Sequence, residues 1–326
     1  MNKIFIGCLA CKHTGGLTLA HQLCFELRKL GYDARMYYYY GLTQQKTYPV
    51  NPLYEKYHLP FDDKLEDAVG NIVVAPETNV EILRGVKKAK RAIWWMSVDN
   101  YHLTQHTLKG RIINLFGLRR FRIEQPDIYH FAQSYYAIDF LQKIVDHSHI
   151  MYLSDYLDDD FLSSVQRHLN DQKRDRVLYN PSKGIAFTKE IIKATPELEW
   201  FPLQGLTPVQ MRDVLETSKV YIDFGHHPGK DRIPREAAVS GCCVLTGLRG
   251  SARFYQDVPI PEAYKYEDVI GSIPDIVRQI KSCITDYERH YADFEEYRQM
   301  IRGEYGVFQQ NVKDIFALLC GGNGKA

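Results

Sequence analysis

The sequence has no surplus of charge: 41 Lys and Arg stand against 40 Asp and Glu, a formal net charge of +1. That balance excludes bulk electrostatic attraction to a polyanion, so no nucleic-acid partner is expected and an anionic ligand must be met by a local cluster. No run approaches the roughly 18 apolar residues of a membrane-spanning helix. Residues 1–11 carry Lys3 and a short apolar run, but Lys12 and His13 stand where a small-residue cleavage site would follow, so no signal peptide is read there. A cysteine framework is missing as well. Cys8, Cys11, Cys24, Cys242, Cys243, Cys283 and Cys320 are odd in number and scattered, which fits a reducing, cytoplasmic compartment. Cys8 and Cys11 form a lone C-x-x-C with no second pair at ligand spacing, so no metal is expected there.

What is present is an ordinary globular composition spread over 326 residues, too long for one core and suited to two domains of about 150 residues each. The 23 tyrosines suit sugar-stacking surfaces but equally build cores. Strand-like and helix-like segments alternate, the pattern of α/β layers around parallel sheets. Strands are expected at 3–10, 34–40, 71–75, 92–98, 128–133 and 149–153. After a polar, acidic stretch they resume at 176–179, 199–203, 220–224 and 242–246. Leu17, Ala20, Leu23, Cys24, Leu27 and Leu30 share one helical face, closed by Gly31. The expected division is an N-terminal Rossmann-like domain at 1–167 and a second at 168–305. Residues 306–326 are expected to be a helix and tail packing back on the first domain.

The richest segment for chemistry is 223–241, which leaves a strand end, crosses a loop with Gly225, His226, His227 and Gly229, and enters a short helix. Ligands of open α/β sheets bind at the carboxyl ends of strands, and a helix N-terminus offers N–H groups to an anion. Lys230, Arg232 and Arg235 cluster at that end, where cations oppose the helix dipole unless an anion lies between them. A diphosphate would resolve the conflict, and Glu236 stands where it can accept from ribose hydroxyls. The competing reading is a solvated loop whose Lys–Asp and Arg–Glu pairs satisfy one another.

The run from Pro234 through Glu236, Ala237, Ala238 and Gly241 to Val244 resembles the donor-site helix and strand of GT-B glycosyltransferases. In the retaining members of that fold it reads Glu-Ala-(Met/Ala)-Ala-x-Gly-x-Pro-Val. The resemblance implies an α/β fold of two Rossmann-like domains facing each other across a cleft, with the donor held mainly by the second. It implies Glu236 as the ribose ligand and Lys230 or Arg232 on the diphosphate. A second Glu is usual eight positions earlier, where this chain has Pro228 beside His226 and His227. That departure leaves the nucleotide open: a UDP-sugar is favoured, and GDP- and CMP-sugars remain. No separate cofactor is implied.

Further candidates lie at other strand ends. His13, Gly15 and Gly16 form a loop that lets a backbone approach a ligand closely, and the resemblance places it at the cleft. The apolar run 92–98 ends in Ser97, Asp99, Asn100 and His102. Its tryptophans resemble segments of polysaccharide-building transferases that face the acceptor. Asp99 is the general-base candidate if the configuration inverts, or a helix cap otherwise. Glu77 is a weaker candidate of the same kind. Lys183, before Gly184, adds a phosphate contact or simply completes a turn. Asp158, Asp159 and Asp160 satisfy the Asp-x-Asp pattern of metal-dependent transferases, but acids before a helix complement its dipole, so no metal is assigned. The basic and apolar stretch 109–122 suits the anionic inner face of a plasma membrane.

The expectation is a metal-independent transferase, leaning to retention, that moves a sugar onto a lipid-linked glycan during capsule, O-antigen or lipopolysaccharide synthesis. The alternatives are a GT-B-fold nucleotide-sugar epimerase and a non-catalytic glycan-binding subunit.

Overall fold

The computed structural model describes residues 2–41, 47–106, 121–165 and 173–321. Two compact units account for the chain: residues 1–155 with 306–326, and residues 156–305. The boundary expected near residue 168 falls outside the described residues, and the units part after Asp155 instead. The acidic turn that follows opens the second unit.

In the first unit the strands are β1 (Lys3–Leu9), β2 (Asp33–Tyr39), β3 (Ile72–Pro76), β4 (Lys90–Trp95), β5 (Ile128–Ala132) and β6 (Ile150–Tyr152), all paired in parallel in the order β2-β1-β3-β4-β5-β6. Parallel strands covered on both faces read as continuous apolar runs, and β3 is buried at all of its positions. β1 runs in register with β2 from Lys3 against Asp33 to Leu9 against Tyr39. Its other neighbour is β3, so the strand order reverses at β1. Helices α1 (Gly15–Lys29), α2 (Val98–His106) and α3 (Tyr135–Leu141) connect the strands. Thr14 caps α1 by accepting from Leu17 N, and Leu19, Leu23, Cys24 and Leu27 bury the face that the sequence spacing predicts.

The second unit carries α4 (Asp159–Val165), β7 (Arg174–Tyr179), α5 (Ile185–Ala194), β8 (Glu199–Pro202), α6 (Pro208–Glu216) and β9 (Ser218–Asp223). These are followed by α7 (Arg232–Val239), β10 (Cys243–Gly247), β11 (Lys265–Tyr266), α8 (Ile273–Thr285) and α9 (Tyr287–Ala292). Its sheet is again parallel, in the order β11-β10-β9-β7-β8, with the reversal at β7. The last helix, α10 (Glu295–Gly321), begins in the second unit and ends in the first. There Phe316 packs on Phe131 with ring centroids 5.9 Å apart, and Asn311 accepts from Ser154 N at 3.2 Å. Among the described residues no helix is long and apolar enough to cross a membrane.

Candidate functional site

A reversal of strand order opens a crevice at the carboxyl ends of the two strands beside it, the usual ligand position in such sheets. In the second unit those strands are β7 and β9, followed by the loops 180–184 and 224–231. The loops press together where glycine permits it. A Cβ on Gly184, which has φ of +56°, would stand 2.5 Å from Phe224 O, and one on Gly225 would stand 2.3 Å from Lys183 Cβ. Each loop ends in a helix, α5 or α7, and neither helix has a side-chain cap. By contrast α1, α3 and α6 are capped by Thr14, Ser134 and Thr207. The first turns of α5 and α7 therefore offer N–H groups and positive dipole ends to an anion, at neighbouring places in one unit.

Asp231 occupies the cap position of α7, but its carboxylate is drawn elsewhere. Lys183 Nζ donates to Oδ2, and His227 Nδ1 lies 3.3 Å from the same oxygen. His227 is fully buried, with Nε2 3.6 Å from Asp223 Oδ1. Asp223 in turn accepts from Tyr221 OH at 2.8 Å and from Gly225 N at 3.1 Å. Asp223, His227 and Asp231 thus each bring a ligand atom within 4.8 Å of the others, a cluster the sequence reading did not assemble. The Lys183 ammonium sits on one of its oxygens, Asp231 Oδ2, and each Asp223 oxygen accepts one hydrogen bond.

The three basic residues separate into two groups. Lys230 and Arg235 point inward. Lys230 Nζ lies 2.9 Å from Glu304 Oε1, and Arg235 Nη1 donates to Glu304 Oε2 at 2.7 Å. Arg235 also donates to Lys230 O and Asp231 O, which ties the loop to the helix that follows it. Arg232 faces outward. Its side chain is 38% exposed and donates to Glu236 Oε1 at 2.9 Å, one helical turn on. Lys183 keeps 28% of its side chain exposed. Of the internal pairs in the competing reading, Arg232–Glu236 forms, but Lys230 pairs with Glu304 and Asp231 with Lys183 from outside the segment, around a buried frame. Glu304 was invisible to sequence reasoning because it comes from α10, far along the chain.

The other expected residues stand in the first unit. His13 and Gly15 are exposed in the β1–α1 turn, and Gly16 has room for a methyl group beside Met96 at 3.6 Å. Asp99 does not cap α2. Ser97 takes that role, accepting from Asn100 N at 3.1 Å, and Asp99 accepts from Tyr136 OH at 3.0 Å. Trp94 and Trp95 are core residues, donating to Leu153 O and His130 Nδ1. Glu77 is buried beside them and accepts from Met96 N at 3.2 Å, and burial pushes its carboxyl up to about 8. Of the basic stretch 109–122, all but Phe121 and Arg122 lie outside the described residues, as do the positions of Lys109, Arg111, Arg119 and Arg120.

No protein-family model matches the sequence, and no curated protein matches it. The backbone does match solved structures over nearly its whole length. HepE of Anabaena, in a complex with UDP and glucose, shares 10% identity at a TM-score of 0.65, over 97% of this chain and 99% of that one. Sucrose-phosphate synthase of Thermosynechococcus elongatus shares 12% at 0.66, over 98% and 100%. A glycosyltransferase of Rickettsia africae shares 11% at 0.62, over 99% of each. The two parallel sheets and their helices are those of the GT-B glycosyltransferase fold.

Proposed function

We propose that this chain is a glycosyltransferase that takes its sugar from a nucleoside diphosphate donor bound at the β7 and β9 strand ends. One observation carries the reading: two uncapped helix N-termini stand at one strand-order reversal, with Lys183, Arg232 and Glu236 around them. In the donor complex the diphosphate takes the N–H groups and draws on Lys183 and Arg232, the two cations that solvent reaches. Glu236, relieved of Arg232, accepts from the ribose hydroxyls. Lys230 and Arg235 act from behind, through Glu304, by holding the loop in shape. Positive charge fixed there stabilises the departing nucleoside diphosphate, the main electrostatic term in such chemistry.

UDP is the favoured nucleotide, supported by the UDP complexes of HepE, with GDP and CMP as the other arms of the test. Binding is metal-independent in this reading, because a cation at Asp231 would have to displace Lys183. Asp99 and His13 are the acceptor-side candidates, and retention of configuration is favoured because the Glu236 helix resembles that of retaining members of the fold. The acceptor is a glycan, lipid-linked at the cytoplasmic face of a membrane, and the product is a cell-surface polysaccharide.

The test is thermal unfolding with UDP, GDP and CMP, each with EDTA and with Mn²⁺. At about 100 times its dissociation constant a ligand stabilises by about 2.7 kcal/mol. The expected outcome is a shift with one nucleotide, unchanged by EDTA and lost in Lys183→Ala and Arg232→Ala. No shift with any nucleotide overturns the donor site, and a strictly Mn²⁺-dependent one overturns metal independence. Donor consumption without acceptor, giving an isomer, would assign an epimerase.

A further inference from the structure

A cavity of about 250 Å³ lies in the first unit, lined by His21 of α1, Tyr38 of β2, and Tyr48, Tyr54, Glu55 and His58 of the segment that follows β2. We propose that it is a carbohydrate-binding subsite for one pyranose ring of a glycan chain. It deepens the glycosyltransferase reading, since the glycan would be acceptor or product, but its binding chemistry is independent of the donor loops.

Size narrows the ligand first. Pockets for drug-sized molecules run from about 300 to about 1,000 Å³, so this one suits a single ring and not a nucleotide. The lining narrows it further. Among the described residues no Lys or Arg lines the cavity, and its charged lining group there is the Glu55 carboxylate, which disfavours an anionic ligand. Aromatic rings, the aliphatic Val50 and Leu59, and neutral and anionic hydrogen-bonding groups share the wall, matching a ring that presents C–H groups on its faces and hydroxyls around its edge.

The polar groups are set in defined roles. His21 Nδ1 lies 2.7 Å from Leu17 O and so carries the proton, leaving Nε2 to accept from Tyr38 OH at 2.8 Å. The imidazole is buried and held neutral, and the Tyr38 oxygen keeps lone pairs for a ligand hydroxyl. Tyr54 stacks on His21 with ring centroids 3.8 Å apart and planes 19° from parallel. At the mouth, Tyr48 exposes 63% of its surface and Glu55 is exposed, an apolar platform beside a carboxylate that can accept from two adjacent hydroxyls.

The backbone is held in unusual shape at the same place. Among the described residues, Cys11 and His58 are the non-glycine residues with φ in the left-handed region, at 60° and 47°. Such conformations cost energy and cluster at ligand sites. His58 lines the cavity, and Cys11 fixes its wall, donating from N to Pro49 O and from Sγ to Tyr48 O. Tyr54 also reaches the β1–α1 turn, donating to Thr14 O at 3.3 Å with its ring 5.6 Å from His13. The cavity therefore adjoins the turn named above as an acceptor-side candidate.

The experiment is saturation-transfer NMR on the full chain with neutral trisaccharides of glucose, galactose and N-acetylglucosamine, followed by titration of those that bind. Tyr48→Ala and Glu55→Gln alter exposed side chains, so folding is retained and is checked by the unfolding midpoint. The expected result is binding of at least one trisaccharide, weakened tenfold or more by each substitution, with the UDP-induced thermal shift unchanged. Absence of binding by all three, or binding that survives both substitutions, overturns the subsite. Lys183→Ala separates the two readings: it removes the UDP shift and leaves saccharide binding intact if both hold. A protein that binds saccharide but no nucleotide keeps the subsite and loses the donor site.

Discussion

Glu77 shows how one buried group can govern a pH response. Its carboxyl is buried at the end of β3, accepts from Met96 N, and has its pKa pushed from 4.5 up to about 8, with desolvation as the largest cause. Since the folded state holds this proton more tightly than the unfolded chain does, the side chain favours folding below about pH 4.5, and that contribution is lost as pH rises through about 8. Glu77→Gln keeps an acceptor for Met96 N and removes the titration. Urea unfolding of both proteins from pH 4 to pH 9 should show wild type losing stability relative to Glu77→Gln, with a limiting slope of about 1.36 kcal/mol per pH unit. A difference that stays flat across that range would mean the buried carboxyl does not take up a proton. The same burial argues against Glu77 as a base for acceptor deprotonation, because desolvation disfavours the charged form and solvent does not reach it.

The elements around the loop 224–231 depend on α10, and the dependence runs through Glu304. Lys230 and Arg235 are both buried and both rest on that one carboxylate. Removing one partner of a buried ion pair costs about 3–5 kcal/mol, because the remaining charge is left uncompensated. Glu304→Leu should lose that much stability in chemical denaturation and should also abolish the nucleotide-induced shift, as the loop loses its frame. Glu304→Gln, which still accepts a hydrogen bond, should lose less of both. A Glu304→Leu protein within 1 kcal/mol of wild type would show the frame to be dispensable. This pairing also marks the limit of what the sequence made legible. Strands such as β3 and β10 were readable because burial on both faces demands apolar runs, and α7 was readable from its glycines and basic residues. Which cations stay accessible was not, since inward-facing Lys230 and Arg235 differ from Arg232 only in having Glu304 opposite them. The cavity at His21 was hidden for a related reason. Its wall is a 3-10 segment, Pro52–Tyr57, whose spacing follows no periodic pattern, and His21 sits on a helix face otherwise read as core.

At the scale of the molecule, α10 is the element that both units share. It crosses from the second unit to the first at Tyr305 and Gly306, and two glycines, Gly303 and Gly306, fall within one turn of that crossing. Neither is required by space: a Cβ at either position would meet nothing within 4 Å. Glycine inside a helix costs about 1 kcal/mol relative to alanine, so the helix is weakest at the turn where it changes units. Gly303→Ala and Gly306→Ala should each raise stability by about that amount, read as a higher unfolding midpoint, because each reduces the freedom of the unfolded chain without a clash in the folded one. UDP affinity should be unchanged, since Glu304, between them, keeps its place on Lys230 and Arg235. Turnover of the double variant then decides why the glycines are there. A lower kcat at unchanged UDP affinity would mean that the turn bends during the reaction, as hinge positions at element ends do. An unchanged kcat in a more stable protein would mean that the helix crosses between units as a rigid rod, and that flexibility there is not part of catalysis.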